Sequence, residues 1–137
     1  MTGTANAGST PVSVLIGSPV ARVAPDATLQ EVADALVAAG VGALVVSNGA
    51  SDGAAAIVSE RDIVGALAAR RDAATTRASD VAHRALVWCD AQATMTEVAT
   101  QMMERYVRHV LVEEDGRLIG IVSARDLLGA YAAGDTD

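Results

Sequence analysis

A chain of 137 residues with 51% hydrophobic residues is long enough for one compact domain, or for two small units that share a core. Its 17 acidic residues outnumber its 10 basic ones, for a formal net charge of −7, so the basic footprint that displaces counterions from DNA or RNA is absent and nucleic acid is not expected as a partner. All the basic residues are Arg, which removes lysine Schiff bases, a lysine general base and a phosphate-loop lysine; Cys89 stands alone, which removes an internal disulfide and a cysteine-rich zinc site.

The apolar share rests on 29 Ala and 18 Val with no Phe, so the core packs small side chains closely and offers no aromatic platform for bases. No apolar run approaches the ~20 residues of a membrane span, and Met1 to Thr10 lacks the charged and apolar regions of a signal peptide. The expectation is a soluble, cytoplasmic protein with no membrane partner.

The chain repeats itself. At an offset of 66, Ala27-Thr28-Leu29-Gln30-Glu31-Val32-Ala33 falls on Ala93-Thr94-Met95-Thr96-Glu97-Val98-Ala99. At an offset of 64, Ile57-Val58-Ser59-Glu60-Arg61-Asp62-Ile63 falls on Ile121-Val122-Ser123-Ala124-Arg125-Asp126-Leu127. The difference of two is assigned to the Gly- and Ala-rich loop from Ser47 to Ala56.

Each copy reads in the same order. An extended segment (Val20 to Val23; Leu86 to Cys89) leads to a capping box, Thr28-x-x-Glu31 or Thr94-x-x-Glu97. A helix follows, with Leu29, Val32, Ala33, Leu36 and Val37, or Met95, Val98, Ala99, Met102 and Met103, at helical spacing. Gly40 is a natural stop for the first of these helices, whereas Tyr106 at the same place makes the second end less sharply. Two short Val/Leu/Ile strands come next, joined in the second copy by the hairpin signal Asp115-Gly116, and a further helix opens at Ser59 or Ser123.

The fold class is therefore α/β (α+β), two tandem β-α-β-β-α repeats. The expected divisions are a tail over 1–10, repeat 1 over 11–70, a linker over 71–79, repeat 2 over 80–133 and a tail over 134–137. Neither copy of roughly 60 residues buries a small-residue core well alone, so the copies are expected to pack on each other.

The residues that suggest chemistry are Ser59-Glu60-Arg61-Asp62 and Ser123-Ala124-Arg125-Asp126. Each follows a hydrophobic strand and opens a helix, so the serine hydroxyl stands beside unpaired N–H groups at the positive helix end, a seat for phosphate. The Asp three positions on can accept from the two hydroxyls of a ribose, and Arg61 or Arg125 offers charge to a phosphate. The same spacing is equally a capping-box variant that binds nothing, and a duplicated unit would duplicate its caps as well. Spacing alone leaves both readings open.

The order β-α-β-β-α, the segment from Arg108-His109-Val110-Leu111-Val112 through Gly116 to Ile121-Val122, and the closing Ser123-x-x-Asp126-Leu127-Leu128 resemble a CBS domain. The first copy resembles it more loosely, through Ala27 to Val32, Val41 to Val46 and Ile57-Val58-Ser59-x-x-Asp62-Ile63-Val64. Together the copies are similar to a stand-alone CBS pair, or Bateman module, covering about Val12 to Tyr131. The resemblance implies a pseudo-twofold pair with two clefts, a homodimer built through helices, and adenosyl ligands such as AMP, ADP, ATP or S-adenosylmethionine. It further implies that Asp62 and Asp126 hold ribose, that Ser59, Ser123, Arg108 and His109 lie near phosphate, and that Val20, Ala21, Leu86 and Val87 wall the base. Since the first copy has Gly42-Ala43 where the second has Arg108-His109, two unequal sites are expected.

Other residues carry less. His83 reads as surface, and His83, Cys89 and His109 match no standard zinc spacing, so no metal is expected. Trp88 and the Met95-Met102-Met103 stripe read as core, and Glu113-Glu114-Asp115 as a solvated tip. With no nucleophile–base pair or paired catalytic carboxylates, no enzyme activity is expected. The leading expectation is a regulatory module that senses an adenine nucleotide of the AMP/ADP/ATP class, with no obligatory cofactor, and signals to a separate protein by a change of shape or assembly. The alternatives are a ligand-independent interaction scaffold, and a sensor of S-adenosylmethionine or NAD.

Overall fold

A computed structural model of the chain describes residues 7–17, 19–48 and 56–134. The loop given the two-residue offset lies, from 49 to 55, outside the described residues, as do 1–6 and 135–137 of the expected tails. The chain forms two compact units. One is Val20–Leu86; the other joins the described residues up to Pro19 to those from Val87 onward.

In the first of these, β1 (Arg22–Val23) leads to α1 (Leu29–Ala39), β2 (Ala43–Val46), β3 (Ala56–Ser59), α2 (Glu60–Ala68) and a short α3 (Ala78–Val81). The sheet order is β1-β2-β3: β1 lies parallel to β2, and β2 runs antiparallel to β3 with Ala43 opposite Ser59. α1 starts where its capping box predicts. Thr28 Oγ1 accepts from the Glu31 N–H, and Glu31 Oε1 accepts from the Thr28 N–H, which holds the Glu31 carboxyl below its ordinary pKa. The helix ends at Gly40 in the left-handed region, φ 67°. Val32 and Leu36 of α1 pack with Leu44, Val46 and Val58 of the sheet and with Ala78 of α3.

The second unit repeats this order as β4 (Trp88–Asp90), α4 (Met95–Arg105), β5 (His109–Glu114), β6 (Arg117–Ser123) and α5 (Ala124–Gly134), with sheet order β4-β5-β6. Thr94 and Glu97 close the capping box of α4. The α4 helix stops as sharply as α1, contrary to expectation: Tyr106 itself adopts the left-handed conformation, φ 55°. Asp115 and Gly116, both at positive φ, turn the β5–β6 hairpin as the sequence predicts. The core is Val98 and Met102 of α4 against Val110, Val112 and Val122 of the sheet, with Cys89 and Leu127. The Met stripe divides, since Met95 and Met102 are buried and Met103 is exposed.

The segments that precede each copy are exchanged. Residues 71–79, expected as a linker, are held against the first copy: the Leu29 N–H donates to Thr76 O (3.0 Å), and Ala78 N–H donates to Ala27 O (2.7 Å). At the same offset of 66, Met95 N–H donates to Thr10 O (3.0 Å) and Val12 N–H to Ala93 O (2.8 Å), which seats a 3-10 turn (Val12–Leu15) on the second copy. The expected tail is therefore structured from Ala7, where a 3-10 turn (Ala7–Ser9) buries Gly8. Chain order alone would have given each lead-in segment to the copy that follows it.

Candidate functional site

Both Ser-x-x-Asp segments occur at the N-termini of helices that leave a β-strand directly, α2 from β3 and α5 from β6. Four unpaired N–H groups and the positive end of the dipole lie there. The two turns share a backbone frame and differ in the state of their side chains.

At the second copy, Asp126 Oδ2 accepts from the Ser123 N–H (2.9 Å), and Ser123 Oγ accepts from the Asp126 N–H (3.0 Å). Asp126 is exposed, and among the described residues only Ser123 bonds to it, so its second carboxylate oxygen accepts from no donor among them. The Ser123 hydroxyl proton is likewise not engaged by Asp126. Arg108 and His109 stand beside this turn. The Ala124 N–H donates to Arg108 O (2.8 Å), and His109 is the register partner of Ser123, which places the two on one face of the sheet. Arg108 and Arg125 are exposed, and His109 is half-buried.

At the first copy, Asp62 Oδ2 accepts from both the Ser59 N–H (2.8 Å) and the Ser59 hydroxyl (3.0 Å). Its Oδ1 meets the Nε2 of His83, and the Asp62 side chain is only 7% exposed. Ser59 is buried, Arg61 is exposed, and Gly42 and Ala43 occupy the positions of Arg108 and His109. The Glu60 N–H donates to Gly42 O (3.0 Å), as Ala124 does to Arg108.

The four residues expected at the base lie at the entry to β1 and β4. Ala21 O accepts from Val45 N–H (3.0 Å) and Val87 O from Leu111 N–H (2.8 Å), so the two copies match here. Ala21 and Val87 pack on the cores of their own units, while Val20 and Leu86 are half-buried beside them.

The sequence reading missed His83. Its side chain is 65% exposed, as a surface residue's would be, yet its imidazole is bound to Asp62. The signal was present in the repeat: the lead-in segments align at the offset of 66, which sets His83 against Gly17. Reading it required knowing that the segment after the first copy folds back onto it, where His83 and Ile57 exchange N–H···O bonds of 2.8 and 3.0 Å.

No group of three or more His, Cys, Asp and Glu side chains gathers as metal donors among the described residues. The Cys89 thiol is raised to about 11, first by burial and then by Asp90 and Glu113, so at neutral pH it is a protonated core group rather than a nucleophile. No helix among the described residues is long and apolar enough to cross a membrane.

The family model for the CBS domain matches residues 12–69 and 78–133. A CBS-domain-containing protein from Agrobacterium tumefaciens is 32% identical, with a TM-score of 0.81 over 94% of this chain and 98% of that one. A CBS domain protein from Pyrobaculum aerophilum, solved in complex with AMP, is 30% identical, with a TM-score of 0.76 over 90% and 98% of the two chains. Hypoxic response protein 1 of Mycobacterium tuberculosis is 36% identical over 88 residues; the match takes in 64% of this chain and spans 61% of that relative. A structure of Hypoxic Response Protein I carries two coordinated zinc ions and matches with a TM-score of 0.70 at 30% identity, over 88% and 98% of the two chains.

Proposed function

The chain belongs to the CBS-domain family, and on that premise we propose that it is a regulatory module that binds an adenosine-containing nucleotide of the AMP/ADP/ATP class at the Ser123-x-x-Asp126 turn and passes the signal to a separate protein. The observation that carries this reading is the state of Asp126. It is an exposed carboxylate at a helix N-terminus with one oxygen that meets no donor among the described residues, next to the Ser123 hydroxyl and beside Arg108 and His109. Two adjacent ribose hydroxyls need acceptors of this kind, and a phosphate needs N–H groups and a cation within reach. The AMP bound to the Pyrobaculum relative supports the ligand class.

Nothing at the turn performs bond-breaking chemistry in this reading. Binding shifts the balance between conformations or assemblies through a difference in affinity for them. In the same reading a second copy of the chain is the first partner.

The scaffold reading also has an observation in its favour. The reciprocal Ser123–Asp126 bonds and the Ser59–Asp62 bonds are complete helix caps and need no ligand to explain them. A thermal-shift panel with AMP, ADP, ATP, NAD and S-adenosylmethionine on the wild type and on Asp126→Ala separates the two. A ligand at about 100 times its dissociation constant stabilises the fold by ~2.7 kcal/mol. Loss of the cap alone costs roughly 0.5–2 kcal/mol with or without ligand. The expected result is a rise with one adenosyl ligand that vanishes in Asp126→Ala, beyond a common drop in both conditions. No rise with any ligand removes the nucleotide reading in favour of the scaffold.

A further inference from the structure

We propose that His83 is an internal occupant of the first Ser-x-x-Asp turn, so that this copy is closed to nucleotide and the chain takes one ligand, at the second copy. The inference rests on the nucleotide reading of Asp126 and extends it to which turn binds and why.

The two turns match in sequence and differ in which donors and acceptors are already engaged. A carboxylate that holds the two hydroxyls of a ribose needs free acceptor positions on its oxygens, and the serine beside it needs a hydroxyl proton to direct at the ligand. Asp126 and Ser123 meet both conditions. Ser59 fails the second condition, and at Asp62 most of the roughly four acceptor positions of the carboxylate are taken. Oδ2 of Asp62 already accepts two hydrogen bonds from Ser59, including its hydroxyl proton, and Oδ1 is in contact with Nε2 of the His83 imidazole. A ribose arriving at Asp62 would have to displace His83 from a side chain that is only 7% exposed.

The difference originates in the lead-in segments. His83 is held beside the sheet by its two backbone bonds to Ile57, which fix the imidazole's origin without involving its side chain. In the other lead-in the same offset places Gly17, which has no side chain, at the equivalent position. Duplication preserved both caps, and one residue in an exchanged segment makes them chemically unequal. Gly42-Ala43 in place of Arg108-His109 acts in the same direction by removing the Arg108 cation and the His109 imidazole, but the two effects are separable by mutation.

The test is the stoichiometry of AMP by isothermal titration, combined with the side-chain nitrogen resonances of the two histidines, which His83→Ala assigns. Because the His83 side chain is largely exposed and its backbone bonds survive substitution, His83→Ala keeps the fold. The expected result is one AMP per wild-type chain, two per His83→Ala chain, and one again in His83→Ala combined with Asp62→Asn. The His83 nitrogen signal is expected to move in Asp62→Asn. Two AMP in the wild type, one in both wild type and His83→Ala, or an unmoved His83 signal overturns the proposal alone. No AMP in any variant overturns the nucleotide reading, and the proposal falls with it.

Discussion

Tyr106 shows how a single residue can hold a conformation its type disfavours. The αL region crowds the Cβ of an L-residue at a cost of about 1–2 kcal/mol, which glycine avoids. α1 ends on Gly40 at φ 67°, and α4 ends on Tyr106 at φ 55° with the same backbone N–H bond to the preceding turn. Tyr106 is 93% exposed, so its ring returns little packing energy. Tyr106→Gly is therefore expected to stabilise the protein by about 1 kcal/mol, the relief of strain being partly offset by the greater freedom of glycine in the unfolded chain. Gly40→Ala, with open space around the new Cβ, is expected to destabilise by a similar amount through φ alone. Urea unfolding of the two variants checks both signs, and a less stable Tyr106→Gly protein would mean that the unfolded-chain freedom of glycine outweighs the strain relieved. The capping boxes at Thr28 and Thr94 were fully legible because their partners lie three residues apart. The states of Asp62 and Asp126 were not, because the side chain that separates them is His83, 21 positions from Asp62 along the chain.

At the scale of elements, periodicity and turn chemistry were enough to order the strands and helices, and the hairpin at Asp115-Gly116 followed from its dipeptide. The destination of the lead-in segments was not legible. Both carry small apolar residues suited to either copy, and only packing decides between them. On the second copy that packing is tight at Gly120 of β6, where an added Cβ would lie 2.6 Å from Ile16 Cδ1 and 2.9 Å from its Cγ2. The glycine is required by the approach of Ile16, since its own φ is not in the left-handed region. Gly120→Ala is expected to cost roughly 1–3 kcal/mol by overpacking. Ile16→Ala removes the three atoms nearest the new methyl, so in the double variant the two losses should sum to more than the measured one. Strict additivity in thermal or urea unfolding would show that Ile16 does not dock at Gly120.

At the scale of the molecule, the duplication that revealed the fold also marks a surface. Val37 and Met103 correspond at the offset of 66, and Val64 and Leu128 at the offset of 64. All four are between 64% and 83% exposed, on the first and second helices of their copies. Scattered exposed apolar residues are ordinary, but the same helical positions left apolar and uncovered in both copies are a repeated pattern. A charged chain in water gains by covering such positions, and the occupant consistent with a twice-repeated apolar pattern is a second copy presenting the same residues, an isologous contact. Light scattering is expected to give twice the 13.9 kDa of one chain. Val37→Glu with Met103→Glu is expected to give the single-chain mass, with the helix signal in circular dichroism preserved because neither side chain supports its own unit's core. A wild type that runs as a single chain would remove the second copy as the occupant of these positions, and the nucleotide effect would then have to be read as conformation rather than assembly.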